Sequence, residues 1–121
     1  MKILLLGSGG REHALAWKMA QSSQLEKLYV APGNAGTAEI AENIALDVND
    51  FKAIGDFTIQ HDVDLLVVGP EQPLVDGIHD YFSSQPRLAN ITVIGPTKEG
   101  AQIEGSKDFA KSFMKRHRIP T

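Results

Sequence analysis

Short, unbroken apolar runs alternate along this chain with segments whose apolar residues recur every three or four positions. The run Ile3-Leu4-Leu5-Leu6, ended by Gly7, has the pattern of a strand buried on both faces. Residues 11–21 are helix formers with Leu15 and Met19 four apart, which predicts a helix and places Trp17 in the core. Residues 28–31 form a second strand, stopped by Pro32-Gly33, and residues 44–48 a third. Phe51, Ile54 and Phe57 at three-residue spacing predict a second helix, although Gly55 interrupts it. Residues 64–68 are a strand ended by Gly69-Pro70. Leu74, Ile78, Tyr81 and Phe82 then mark one further helix, with Pro73 in its first turn, where a missing N–H costs nothing. Residues 91–94, ended by Gly95-Pro96, are the last strand.

Strands and helices alternating at this spacing predict an α/β fold: a Rossmann-like, doubly wound parallel sheet with right-handed crossovers. The expected strand order is 3-2-1-4-5, reversing between strands one and four. That order sets the loop after Leu6 beside the loop after Val68, on the carboxyl edge where such sheets bind ligands. Beyond Pro96 the character changes. Ser106 reads as a helix N-cap with Asp108 in the first turn, Phe109, Phe113 and Met114 as an apolar stripe, and Pro120 as a stop. This last helix has no sheet to cover and reads as the start of a second domain.

Composition narrows the function classes. The 121 residues include no cysteine, which excludes a disulfide scaffold, a thiol nucleophile, an iron–sulfur cluster and a thiolate zinc site. The apolar runs are far shorter than the roughly 20 residues that span a bilayer, so neither membrane insertion nor a signal peptide is expected, and a cytoplasmic location is. Net charge is −3. Residues 1–106 carry seven basic and fourteen acidic side chains, whereas residues 107–121 carry five basic and one acidic. A body that acidic is not expected to bind nucleic acid. The basic cluster from Lys115 to Arg118 suits a helix C-terminus. His13, His61, His79 and His117 fall in different elements without the spacing of metal ligands.

Three loops can carry chemistry. In Gly7-Ser8-Gly9-Gly10-Arg11-Glu12 the glycines permit close backbone approach, and the N–H groups opening the helix favour an anion. The dinucleotide fingerprint G-x-G-x-x-G requires glycine where Glu12 stands, and the second strand ends without the acid that would hold a nicotinamide ribose. The turn therefore favours a phosphate-bearing ligand over NAD, or over a role only in packing helix on sheet. Arg11 opposes the helix dipole, which suits either a bound anion or an ion pair with a neighbouring acid. Pro32-Gly33-Asn34-Ala35-Gly36-Thr37 is rich in backbone and side-chain donors. In Gly69-Pro70-Glu71-Gln72-Pro73 two prolines stiffen the chain around Glu71. That carboxylate either accepts from a sugar hydroxyl or an amine, or satisfies the first turn of the next helix.

Taken together, Gly7-Ser8-Gly9-Gly10-Arg11-Glu12-His13-Ala14, Ala31-Pro32-Gly33-Asn34-Ala35-Gly36-Thr37, Val68-Gly69-Pro70-Glu71 with Pro73-Leu74, and Gly95-Pro96 with Glu104-Gly105-Ser106-Lys107 resemble the amino-terminal part of the glycinamide ribonucleotide synthetase (phosphoribosylamine–glycine ligase) family. The resemblance covers the whole chain, in order and with the family's spacing. It implies a pre-ATP-grasp, substrate-binding domain over residues 1–103, followed at 104–121 by a linker and the start of an ATP-grasp domain. Met1 reads as the native start, with the remainder of the enzyme beyond Thr121.

The reaction so implied belongs to purine biosynthesis. ATP phosphorylates the carboxylate of glycine, and the amine of 5-phosphoribosylamine displaces phosphate to give glycinamide ribonucleotide and ADP. ATP and magnesium or manganese would bind mainly outside this stretch, and the chain by itself is expected to be inactive. Its partners would be phosphoribosylamine, glycine, ATP and the rest of its own chain. The resemblance implies no catalytic residue and no metal ligand here, and a substrate-binding set of Gly9, Gly10, Arg11, Glu12, Asn34, Gly36, Thr37, Gly69, Pro70 and Glu71. Gly9, Gly10 and Arg11 are expected on the phosphate, Asn34, Gly36 and Thr37 on phosphate or ribose, and Glu71 on ribose hydroxyls or the amine. Two rivals from other classes are a nicotinamide-dependent oxidoreductase domain and a non-catalytic module that senses a phosphorylated metabolite.

Overall fold

The structure is a computed structural model and describes residues 1–95. Its strands are β1 (Lys2–Gly7), β2 (Lys27–Pro32), β3 (Glu42–Asn43), β4 (Leu65–Val68) and β5 (Thr92–Ile94). All pair in parallel, in the order β3-β2-β1-β4-β5. The expected order is the observed one.

The alternation of side chains along a strand divides the core in two. Leu4 and Leu6 of β1 face the same way as Tyr29, Ala31, Leu66 and Val68. Helices α2 (Phe51–Gln60) and α4 (Ile78–Ser84) cover that side through Ile54, Phe57, Ile78 and Phe82. Ile3 and Leu5 face the other way with Leu28, Val30, Leu65 and Val67, and α1 (Gly10–Ala20) covers them with Ala16 and Met19. Helices on both faces make the sheet doubly wound. Among the described residues no helix is long and apolar enough to cross a membrane.

Three expectations need correction. The third strand is Glu42–Asn43, paired with Tyr29 and Val30, not residues 44–48. The Ile44 N–H still donates to the Val30 carbonyl at 2.8 Å, but the Leu46 N–H then turns back to the Ile44 carbonyl at 2.8 Å and the chain leaves the sheet. Ile44, Leu46 and Val48 do alternate toward an apolar surface. That surface is the α2–α4 side of the core, reached by a loop.

Trp17 is not in the core but 57% exposed. At 100° per residue the inward face of α1 is set by Glu12, Ala16 and Met19, and Trp17 points nearly opposite. The single helix expected from Leu74 to Phe82 is two, α3 (Gln72–Val75) and α4. Gly77 between them has φ +94°, a left-handed conformation that ends one helix and re-aims the chain into the next. The expected helix capped by Ser106, the change of domain near residue 103 and the basic segment 107–121 lie outside the described residues.

An exposed ion-pair cluster ties α2 to the segment after α4. Asp56 accepts from Arg87 at 2.8 Å and from Lys52 at 3.1 Å. The Arg87 guanidinium, and after it the Lys52 ammonium, hold the Asp56 carboxyl below the usual carboxylate range. A carboxyl whose folded pKa lies below its unfolded one, about 3.9, stabilises the fold above that value. The contribution is lost as pH falls through the folded pKa. Wild type should therefore outlast Asp56→Asn in urea at pH 7, by a small margin because the pair is exposed, and the two midpoints should converge near pH 2.

Candidate functional site

The carboxyl ends of β2, β1 and β4 are tied together by backbone bonds. The Gly33 N–H donates to the Gly7 carbonyl at 3.0 Å and the Gly69 N–H to the Leu6 carbonyl at 2.9 Å. A cleft of about 550 Å³ opens over these ends, within the usual range for small-ligand pockets. Gly7 lines it from the end of β1, Ser8 and Gly9 from the β1–α1 loop, Glu12 from the first turn of α1, Pro32 from the end of β2 and Pro70 from the loop after β4. Leu46, Asp47 and Val48 line the side where the chain has left β3. The cleft thus sits where the strand order reverses.

Glu12 organises the first loop. Its side chain folds back over the start of α1, and Oε2 accepts the Gly9 N–H at 3.0 Å, one half of a capping box whose other half glycine cannot supply. The carboxylate is buried, with 6% exposure, in the seam between the β1 and β4 loops. A Cβ at Gly7 or at Gly69 would run into Oε1. Gly7 also has φ +134°, which side chains rarely adopt. The Glu12 carboxylate thus lies against two turns from strands far apart in sequence, and the Leu6 carbonyl oxygen, 2.6 Å from a Cβ at position 69, gives the second turn its own need for glycine.

The second loop is fastened to the first. Asn34 Nδ2 donates to the Ser8 carbonyl at 2.9 Å, and its Oδ1 accepts the Thr37 N–H at 2.9 Å. Thr37 is fully buried, with its hydroxyl donating to Asn43 Oδ1 at 2.7 Å and accepting the Asn34 N–H at 2.8 Å. Gly36 lies against the His13 ring of α1. In the third loop Glu71 precedes α3 and is exposed. Its carbonyl accepts from Leu74 and Val75, whereas its carboxylate makes no cap bond to the helix.

Of the ten expected substrate-binding residues, Gly9, Glu12 and Pro70 line the cleft, and Gly69 closes its base behind Glu12. Gly10 and Arg11 stand exposed on the first turn of α1, and Glu71 is exposed just beyond Pro70. Asn34 and Thr37 direct their polar atoms at neighbouring loop atoms. The cleft is also lined by Gly7, Ser8 and Pro32, which stand inside the loop motifs but outside the expected binding set, and by Leu46, Asp47 and Val48. The signal for the last group was Asp47-Val48-Asn49-Asp50, a turn composition. Its Asp47 carboxylate indeed accepts the Asn49 N–H at 2.8 Å. Among the described residues lining the cleft, the charged ones are Glu12 and Asp47, both acidic. No group of three histidine, aspartate or glutamate side chains among the described residues could hold a metal ion, so no step through a metal or a metal-bound nucleotide is assigned to them.

An open parallel sheet with helices on both faces and a glycine-walled cleft at its point of reversal places the domain in the doubly wound α/β class. Within that class the chain belongs to the family described as phosphoribosylglycinamide synthetase, N domain, whose family model matches residues 1–104. It is 55% identical to phosphoribosylamine–glycine ligase of Pseudomonas putida and 53% identical to that of Escherichia coli, each over 100% of this chain. It covers 27% and 28% of those proteins, so it spans about a quarter of the length of the curated relatives it matches. A crystal structure of phosphoribosylamine–glycine ligase from Thermotoga maritima aligns with 98% of this chain and 25% of that one, at 34% identity and a TM-score of 0.47.

Proposed function

We propose that this chain is the ribose-phosphate-binding part of a phosphoribosylamine–glycine ligase. The observation that carries the reading is the placement of the family's loops around one cleft at the reversal of the sheet. In that ligase glycine is activated by ATP with magnesium or manganese and joined to the amine of phosphoribosylamine. The residues described here bind and orient the sugar phosphate, and orientation alone is a large part of what such a reaction needs. Backbone N–H groups of Gly10 and Arg11, in the first helical turn, take the phosphate together with the Arg11 guanidinium. Gly9 bounds the same site, although its N–H is held by Glu12. Asn34, Gly36 and Thr37 shape the ribose side by fixing the second loop against the first. Glu71, exposed beside Pro70, accepts from the ribose hydroxyls or the amine.

Titration of the chain with ribose 5-phosphate, followed by amide NMR shifts, tests the reading. The largest shifts are expected at Gly9, Gly10, Arg11 and Glu71. Gly10→Val is the informative variant, because a Cβ at position 10 meets nothing within 4 Å. The fold should be kept while ribose 5-phosphate affinity drops at least tenfold, since the branched side chain stands where the phosphate approaches the backbone. Unchanged affinity removes Gly10 from the site. Tight NAD binding with no response to ribose 5-phosphate favours the oxidoreductase reading instead.

A further inference from the structure

The cleft has an acidic interior and a helix start at its mouth, and one side chain creates that division. We infer that Glu12 is a specificity-determining residue: its carboxylate takes the loop N–H group that a dinucleotide-binding turn offers to a pyrophosphate, so the cleft accepts a sugar monophosphate and rejects a pyrophosphate. The inference rests on the ribose-phosphate reading above and adds to it which ligands the same site refuses.

Position 12 follows Gly7 and Gly9 at the spacing where G-x-G-x-x-G has its third glycine, whose lack of a side chain lets helix and strand pack closely beside the bound pyrophosphate. Here that position carries a carboxylate, and the side chain is not directed into solvent. It is turned inward, buried, bonded through Oε2 to the Gly9 N–H, and packed with Oε1 against Gly7 and Gly69. The protein has thus placed its own anion on the first N–H group that a phosphate would use. Asp47 lines the same cleft from the other side. A phosphate driven into the cleft would meet two acids and no lining cation among the described residues, and like charges repel. Hydroxyl or amine donors suit that interior, because carboxylates accept hydrogen bonds. The ligand's single phosphate is left to the outer N–H groups of the α1 first turn.

The test compares ribose 5-phosphate with ADP-ribose on the 121-residue chain, by calorimetry or amide shifts, for wild type, Glu12→Gln and Glu12→Gly. Wild type should bind ribose 5-phosphate at least tenfold more tightly than ADP-ribose. Glu12→Gln keeps the shape and an oxygen for the Gly9 N–H but removes the charge, and should cut that preference at least fivefold. Glu12→Gly completes the glycine spacing and should cut it further. Should the glycine variant fail to fold, the wild-type ratio and the glutamine variant still decide. Equal affinities on wild type, or a preference unchanged in Glu12→Gln, overturn the role of Glu12 while leaving ribose-phosphate binding intact. No binding of ribose 5-phosphate to wild type overturns the underlying reading, and this inference with it.

Discussion

Replacing Gly69 by valine is expected to destabilise the domain by roughly 2–3 kcal/mol and to abolish ribose 5-phosphate binding. The reason is close approach rather than an unusual backbone angle. A Cβ at position 69 would lie 2.6 Å from the Leu6 carbonyl oxygen and would also run into the Glu12 carboxylate. The backbone neighbour cannot retreat. The Leu6 carbonyl belongs to the central strand and accepts the Gly69 N–H itself, and Glu12 is held by the Gly9 N–H. The β4 loop must therefore swing away from the β1 loop, which opens the base of the cleft. Urea denaturation measures the first effect and amide NMR titration the second. A midpoint within error of wild type would mean that the seam relaxes around the new side chain. Gly10→Val is the internal control, since it adds the same bulk to the same rim without a clash in the fold.

The second large effect is expected at Phe82. Truncation to alanine should cost about 3–5 kcal/mol, because the ring is 1% exposed and is one of few anchors of a seven-residue helix. A helix that short does not persist in water through its own hydrogen bonds; packing holds it. Ile78 and Phe82 supply that packing against the β4 side of the sheet, with Leu88 beside them. Once the ring is lost, α3 and α4 should exchange amide hydrogens faster than β1 and β4 do. Because Glu71 opens α3, the same variant should weaken ribose 5-phosphate binding without touching the cleft lining. Hydrogen exchange resolved by residue is the measurement. Uniform acceleration across the whole domain would show that α3 and α4 do not open as a separate unit.

The strands show how much of this fold was legible. Leu4, Leu5, Leu6 and Leu65, Leu66, Val67, Val68 are unbroken apolar runs, and such runs belong to strands covered on both faces. Glycine and proline at their ends located the rim. Ile44, Leu46 and Val48 misled because alternation reports only that one side is buried, and a loop laid over the core alternates as a strand does. Trp17 misled because its size argues for burial, whereas its position on α1 puts it opposite Met19. Gly77 was invisible as a helix break, since φ is not written in composition.

By itself the sequence determined the layer architecture, the strand order and the three loops that meet at the carboxyl edge. Those features follow from local signals: apolar continuity, helical spacing and the residues that stop each element. Only the tertiary structure decided what each loop residue does there. Glu12 reads in the chain as a departure from a fingerprint, and in the fold it is the anion around which Gly7 and Gly69 are fitted. Thr37 reads as a donor for a ligand, and in the fold its hydroxyl is engaged by Asn43 and Asn34. A polar side chain's role depends on which partners packing brings within hydrogen-bond reach, and those partners stand on other strands and loops.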